Sequence, residues 1–230
     1  MSRVVIAGRW DGGVPALPTG EALDAIRRGV LVGASDPVVV TVPCGTGPTF
    51  DEAVAALDSQ ASFVRVPTDA SSSCEAGERV AESLGHGGTV IVEGGHNASP
   101  DCGVGFLEGL LDLSDIDPRQ PEALADTLTR AQALVSDADV DLVCAASTAR
   151  PLLGLDSVLA VAPDLEPIEA QDTALTASLT QAFAHRPLGR QQLLDGADVH
   201  PARQRGSGAG GGVGAVIAAI GGRIVTTGDL

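Results

Sequence analysis

The sequence predicts an α/β protein: a parallel, or mostly parallel, three-layer sheet with helices on both faces. Three observations carry this. Short aliphatic runs alternate with segments of helical spacing, the pattern of βαβ units. Apolar residues make up 44% of the chain but aromatics only 2%, so the core must be built from Val, Leu, Ile and Ala. Strands of that composition suit a parallel sheet buried between helices. Several runs also end in glycine-rich loops, and open α/β sheets bind ligands beyond the carboxyl ends of their strands.

The elements follow in order. Arg3 to Gly8 is an aliphatic run ending in glycine, a buried first strand. Thr19 opens a helix whose apolar positions Leu23, Ile26, Val30 and Leu31 are spaced by three and four, and Gly33 ends it. Pro37 to Pro43 is a second strand. Phe50 to Leu57 is a short helix with Asp51 and Glu52 in its first turn, where acids suit the dipole. Ser62 to Val66 is a third strand, followed by a polar linker over 67–73. Glu75 to Leu84 is a helix stopped by Gly85-His86-Gly87-Gly88. Thr89 to Val92 is a fourth strand, and its loop runs through Gly94, Gly95, His96, Asn97, Ser99 and Asp101 into a helix from Val104 to Leu111. Glu122 to Val135 is amphipathic, with Leu124, Leu128, Ala131 and Val135 on one face. Asp141 to Ala146 and Ser157 to Ala162 read as the fifth and sixth strands. Glu166 to Ala184 reads as a long helix, 185–205 as irregular, and Gly222 to Thr227 as a last strand. Residues 1–230 read as one domain.

Charge and cysteine usage narrow the function classes. The net charge is −16, and all fourteen basic residues are arginines. Such a surface repels nucleic acid, and no basic stripe with interleaved aromatics offsets it. No apolar stretch reaches membrane-spanning length and no leader pattern opens the chain, so a soluble cytoplasmic protein is expected. The four cysteines, Cys44, Cys74, Cys102 and Cys144, form no metal-ligand spacing and read as buried free thiols. An exposed edge on a short sheet is compatible with a homodimer.

The stretch Arg205-Gly206-Ser207-Gly208-Ala209-Gly210-Gly211-Gly212-Val213-Gly214 has two readings. Six glycines fall in nine positions, followed by an apolar segment of helical composition. A glycine-rich turn entering a helix can present backbone N–H groups to an anion. Equally, glycines permit a tight strand-to-helix junction with close packing. It is not a Walker loop, because no Lys follows the last glycine.

Six segments, in order, resemble the two-domain glycerate kinase family. VVIAGRWDGGVPALPTGEALDAIRRGV is similar to that family's opening strand, loop and helix. VTVPCGTGPTFDEAVAAL, SCEAGERVAESLGHGGTVIVEGG, HNASPDCGVGFLEGL, DLVCAASTARPLLGLDSVLAVAPD and RGSGAGGGVGAVIAAIGGRIVTTGDL resemble successive later segments. The family phosphorylates D-glycerate with ATP and magnesium, so the resemblance implies that reaction, those cofactors and a small hydroxy acid or nucleotide as partner. It implies a Rossmann-like main domain, with the second domain reduced to the 67–73 linker. The departures are specific. The family's opening Asp-Ser-Phe-Lys is replaced by Arg9-Trp10-Asp11-Gly12. Its Asp-Gly-Gly-Glu acids are missing near Cys44 and Pro48. Ala145 and Ser147 stand where it has further acids. A diverged, non-catalytic relative is therefore the alternative.

A kinase for a small hydroxy acid needs a phosphate cradle, a magnesium carboxylate, a positioning group and a cation. Gly206, Ser207, Gly208, Gly210, Gly211 and Gly212, with Gly94 and Gly95, are candidates for the cradle. Asp101 is the one strand-end acid matching a family acid, either as metal ligand and base or as an N-cap of the following helix. His96 is either catalytic or an exposed loop histidine. Asn97 and Ser99 either bind substrate or phosphate or make local turns. Arg205, with Arg9, Arg150 and Arg203, could clamp an anion bidentately or stand as surface charge.

Overall fold

The computed structural model describes residues 3–10, 17–33, 37–45, 48–57, 60–67, 72–95, 101–161, 173–184, 200–227 and 229. Contacts divide the chain into two compact units, Met1–Ala61 and Ser62–Leu230, each with its own sheet. The same β/α alternation runs through both. The division falls at Ala61 and Ser62, ahead of the 67–73 stretch.

In the first unit, β1 (Arg3–Gly8) pairs parallel with β2 (Val38–Pro43), Arg3 opposite Val38. Two helices complete it, α1 (Thr19–Gly33) and α2 (Pro48–Leu57). α1 buries Thr19, Ala22 and Leu23. Leu23 packs at Gly8, so it marks the half-buried face of the sheet. The N-terminal ends of α1 and α2 are tied by Thr19 to Thr49 (2.8 Å) and by the Gly20 N–H to Glu52 Oε2 (2.6 Å).

The second unit holds a four-stranded parallel sheet in the order β3 (Ser62–Arg65), β4 (Gly88–Gly94), β5 (Val140–Ala146), β6 (Arg223–Thr226). Around it run α3 (Cys74–Leu84), α4 (Val104–Leu111), α5 (Pro121–Ala138), α6 (Val158–Val161), α7 (Thr173–Phe183) and α8 (Val213–Ala219). The central strands β4 and β5 are buried over their last five residues, as continuous aliphatic runs require. Val64, Val90, Val92, Leu142, Cys144 and Ala146 share one sheet face and enter a core with Val80, Phe106, Leu107, Leu128, Phe183 and Ile217. Parallel strands with helices around them are the fold class that the sequence predicts. The strands fall into two sheets, however, where one was expected.

α3 and α4 cross at backbone contact. A Cβ on Gly77 would sit 2.1 Å from the Phe106 carbonyl oxygen, and one on Gly109 2.0 Å from that of Cys74. These glycines are there because the helix axes approach too closely for any side chain.

One element differs in kind. Ser157 to Ala162 reads as a strand, but Val158–Val161 is a single helical turn. The Ala160 N–H donates to Ser157 Oγ (3.2 Å) and to the Ser157 carbonyl, and Val158 and Leu159 turn into the core. A local cap and tertiary burial outweigh the β-propensity of a short apolar run. Of the expected helix Glu166 to Ala184, Thr173–Phe183 is helical and 162–172 lies outside the described residues.

Candidate functional site

The carboxyl ends of β3 to β6 meet the glycine stretch. A Cβ on Gly94, the last residue of β4, would lie 2.7 Å from the Gly210 nitrogen, and the Gly210 N–H donates to the Gly95 carbonyl (2.9 Å). Gly206 lies against Ala146 and Ile224, Gly208 against Val158, and Gly212 against Cys102 and Gly103. Gly206, Gly210, Gly211 and Gly212 all have positive φ. The structure thus brings together Gly94, Gly95, the 206–214 glycines and the loop that carries Asp101. His96, Asn97 and Ser99 lie outside the described residues, as does Asp11.

The stretch is buried from Gly206 to Ile220. Several of its N–H groups donate to main-chain carbonyls. Gly206 donates to Ala149 (3.2 Å), Gly208 to Arg150 (3.0 Å), Ala209 to Gly206 (3.0 Å) and Ala215 to Ser207 (2.9 Å). Ser207 is fully buried, and its Oγ accepts the Leu152 N–H (3.0 Å). The hydroxyl therefore anchors the loop after β5. These bonds and this burial are those expected of a packing junction, one of the two readings the sequence left open.

Asp101 is similarly committed. Its Oδ2 accepts the Ser73 N–H (2.7 Å) and the Ser73 hydroxyl (2.8 Å), and its Oδ1 accepts the Gly103 N–H (2.9 Å). A further backbone bond comes from Gly105. Burial pushes the Asp101 carboxyl above the ordinary carboxylate range, and the donors from Ser73, Gly103 and Gly105 pull against it. The carboxylate joins the N-terminal ends of α3 and α4, where helix dipoles favour negative charge. The N-cap alternative was close to this. Asp101 serves the start of α4, and it also serves α3 from 28 residues away.

The arginines divide. Arg150 Nη1 pairs with Asp156 at 3.3 Å, and both side chains are solvent-facing. Arg203 and Arg205 are exposed. Arg9 lies against Gly45 in the first unit. Sequence reasoning missed the pair at the ends of β3 and β4. Arg65 and Glu93 are in register, with Nε to Oε2 at 2.9 Å, and the Glu93 side chain is only 5% exposed. The signal was one acid inside the run Val90-Ile91-Val92-Glu93. Ser73 was also missed, although Ser72-Ser73-Cys74-Glu75 has the spacing of a capping box. Among the described residues no group of three or more His, Cys, Asp or Glu side chains could hold a metal ion. Cys102 and Cys144 are buried, Cys74 is half-buried, and Cys44 is exposed, against the expectation for that thiol.

The fold and these loops define a parallel α/β protein with its strand ends closed by a glycine-rich junction. No family model and no curated protein matches the chain. Among solved structures it is similar to the crystal structure of "putative glycerate kinase 2" from Salmonella typhimurium LT2, with a TM-score of 0.65 and 20% identity, over 99% of this chain and 73% of that one. The likeness establishes the fold. Among the described residues no helix is long and apolar enough to cross a membrane.

Proposed function

We propose that the chain is a glycerate kinase-like protein that keeps the fold and has lost the phosphoryl-transfer machinery. The observation that carries this is Asp101, the acid that matches the family's by position. A carboxylate has about four lone-pair sites, and those of Asp101 are taken by Ser73, Gly103 and Gly105. Magnesium would have to displace donors at the start of two helices to reach it. The N–H groups of Gly206, Gly208 and Gly210, each given to a main-chain carbonyl, support the same reading, as does a chain without lysine. Magnesium therefore does not fit Asp101 as the described residues hold it, and no chemical step is derived through it. What the reading leaves is recognition: a small anion, glycerate or a nucleotide phosphate, held at the carboxyl ends of β3 to β6 without turnover, in a structural or regulatory role.

One observation favours a second reading, ATP-dependent phosphorylation of D-glycerate: the Asp101 loop packs on Gly212, so acid and glycines share one end of the sheet. Two measurements separate them. Thermal shift with D-glycerate, ATP or phosphate, with and without magnesium, reports binding, since a ligand at about 100 times its Kd stabilises by about 2.7 kcal/mol. A coupled assay of ATP consumption reports turnover. Stabilisation without turnover supports the first reading, and turnover lost in Asp101→Ala establishes the second. No stabilisation at millimolar ligand removes both and leaves a packing role alone.

A further inference from the structure

We propose that a groove at the carboxyl ends of α3, α4 and α5 binds a short aliphatic peptide with both of its ends free. The groove has a volume of about 740 Å³, within the roughly 300–1,000 Å³ of sites for small ligands. It is lined wholly by described residues of the second unit. α3 leads into Gly88 and α5 into Val140, register partners at the amino ends of β4 and β5. The groove thus lies at the far ends of α3 and α4 from Asp101, apart from the anion site proposed above. Leu84 and Leu110 are buried beneath it, Leu111 is half-buried, and Leu134 is 38% exposed. Arg130 stands one turn before Leu134 on α5, and Asp137 one turn after it. Seven residues of helix set them about 10 Å apart along the axis. Asp112 adds a second carboxylate at the close of α4. Among the described residues, none of these three charged side chains has a hydrogen-bond or ion-pair partner.

Charge and size select the occupant. The acidic end of the groove is negative in its backbone as well as its side chains. Three helices end there, none with a basic residue in its last turn, and the last carbonyls of a helix have no partner within it. An anion alone meets two carboxylates and three negative helix ends. A cation alone leaves Arg130 unmatched. A zwitterion with an aliphatic body matches both ends and the leucines between them. Three extended residues span about 10 Å, the spacing of Arg130 and Asp137. The α-carboxylate then reaches the guanidinium while the α-ammonium reaches the two carboxylates. The peptide N–H groups have open helix carbonyls to donate to. A protein partner is disfavoured. Along α5 the groove runs only from Arg130 to Ala138, about 12 Å, too short for the roughly 800 Å² per partner of a stable interface.

The test is a chemical-shift titration of the full chain with the tripeptide Ala-Leu-Ala, its N-acetyl form and its C-terminal amide, each to about 10 mM, where a weak site fills by mass action. The free tripeptide is expected to give saturable shifts centred on residues 81–85, 109–112 and 130–138. Blocking either end should weaken binding about fivefold, the size of a good exposed ion pair. In Arg130→Gln the free peptide and the amide should bind equally, and in the double change Asp112→Asn with Asp137→Asn the free and acetylated forms should. Circular dichroism establishes that each variant is folded, and the blocked peptides test the same contacts on the wild type. No shift with the free tripeptide, equal binding of all three peptides to the wild type, or shifts centred outside the groove overturns the proposal. So does a folded Leu134→Cys variant whose thiol resists a maleimide, because the chain would then cover its own groove.

Discussion

Replacing Asp101 separates an architectural carboxylate from a metal ligand. Asp101→Ala removes the acceptor for the Ser73 N–H, the Ser73 hydroxyl and the Gly103 N–H, at 2.7, 2.8 and 2.9 Å. A hydrogen bond to a charged group is worth about 1.5–3 kcal/mol, and a buried donor left unmet loses its hydration as well. Relief of the carboxylate's own desolvation offsets part of this. The expected net loss is about 3 kcal/mol, near the upper end for single substitutions. Asp101→Asn keeps one acceptor oxygen but turns an NH2 toward a donor, so about 2 kcal/mol is expected. Urea denaturation monitored by circular dichroism reads both, with an unchanged slope as the sign that the native state is intact. Amide exchange should quicken first at the starts of α3 and α4, which share this anchor. A neutral or stabilising Asp101→Asn that also abolishes a magnesium-dependent thermal shift would refute the reasoning, since a metal ligand is relieved of charge by that change.

The remaining predictions are shorter. Gly212→Ala should cost about 3 kcal/mol or more by chemical denaturation, because a Cβ there meets Cys102 backbone at 2.6 Å and the residue has φ 120°. Gly29→Ala, exposed within α1 with nothing within 4 Å of the added Cβ, should instead stabilise by about 0.5–1 kcal/mol. Burial pushes the Cys144 thiol up to about 12. A folded-state value raised above the unfolded one of about 8.5 gives stability that is fully present below pH 8.5 and lost as pH rises toward 12, with a slope approaching 1.4 kcal/mol per pH unit. Cys144→Val should flatten that decline, and a thiol reagent at pH 8 should label Cys44 at once but Cys144 only on unfolding. Arg65→Met should cost about 3 kcal/mol in urea, because it takes the Arg65 guanidinium away from the buried Glu93 carboxylate, whereas the double change Arg65→Met with Glu93→Leu should recover much of it.

Element type was legible where period and composition agreed. The runs at β4 and β5 could only be buried strands, and the spacing of Leu124, Leu128, Ala131 and Val135 fixed the buried face of α5. The short turn at 158–161 was not legible, because four apolar residues fit strand or helix and Ser157 decided between them. The candidate site was half legible. The glycines and Asp101 do converge at one end of the sheet, as their order along the chain suggested. Their orientation was hidden, since whether a backbone N–H points out to a ligand or in to a carbonyl depends on partners such as Gly95, Ala149 and Arg150, remote in sequence. Nor can local capping rules reveal that the start of α3 is capped by an acid 28 residues later.

The buried glycine stretch also bears on how the molecule assembles. Segment 206–226 supplies β6, the wholly buried α8 and the contacts that close the ends of β4 and β5. It follows every other strand of its sheet in the chain, and its bonds reach back to Gly95, Ala146, Ala149 and Arg150. These are long loop closures, with an entropic penalty borne before the core rewards them. On a ribosome the larger unit would hold its earlier helices and three of its strands in a loose, apolar-exposed state until this segment emerged. This sheet would then close in one cooperative step, and the interval before it is when the unit most needs protection from aggregation.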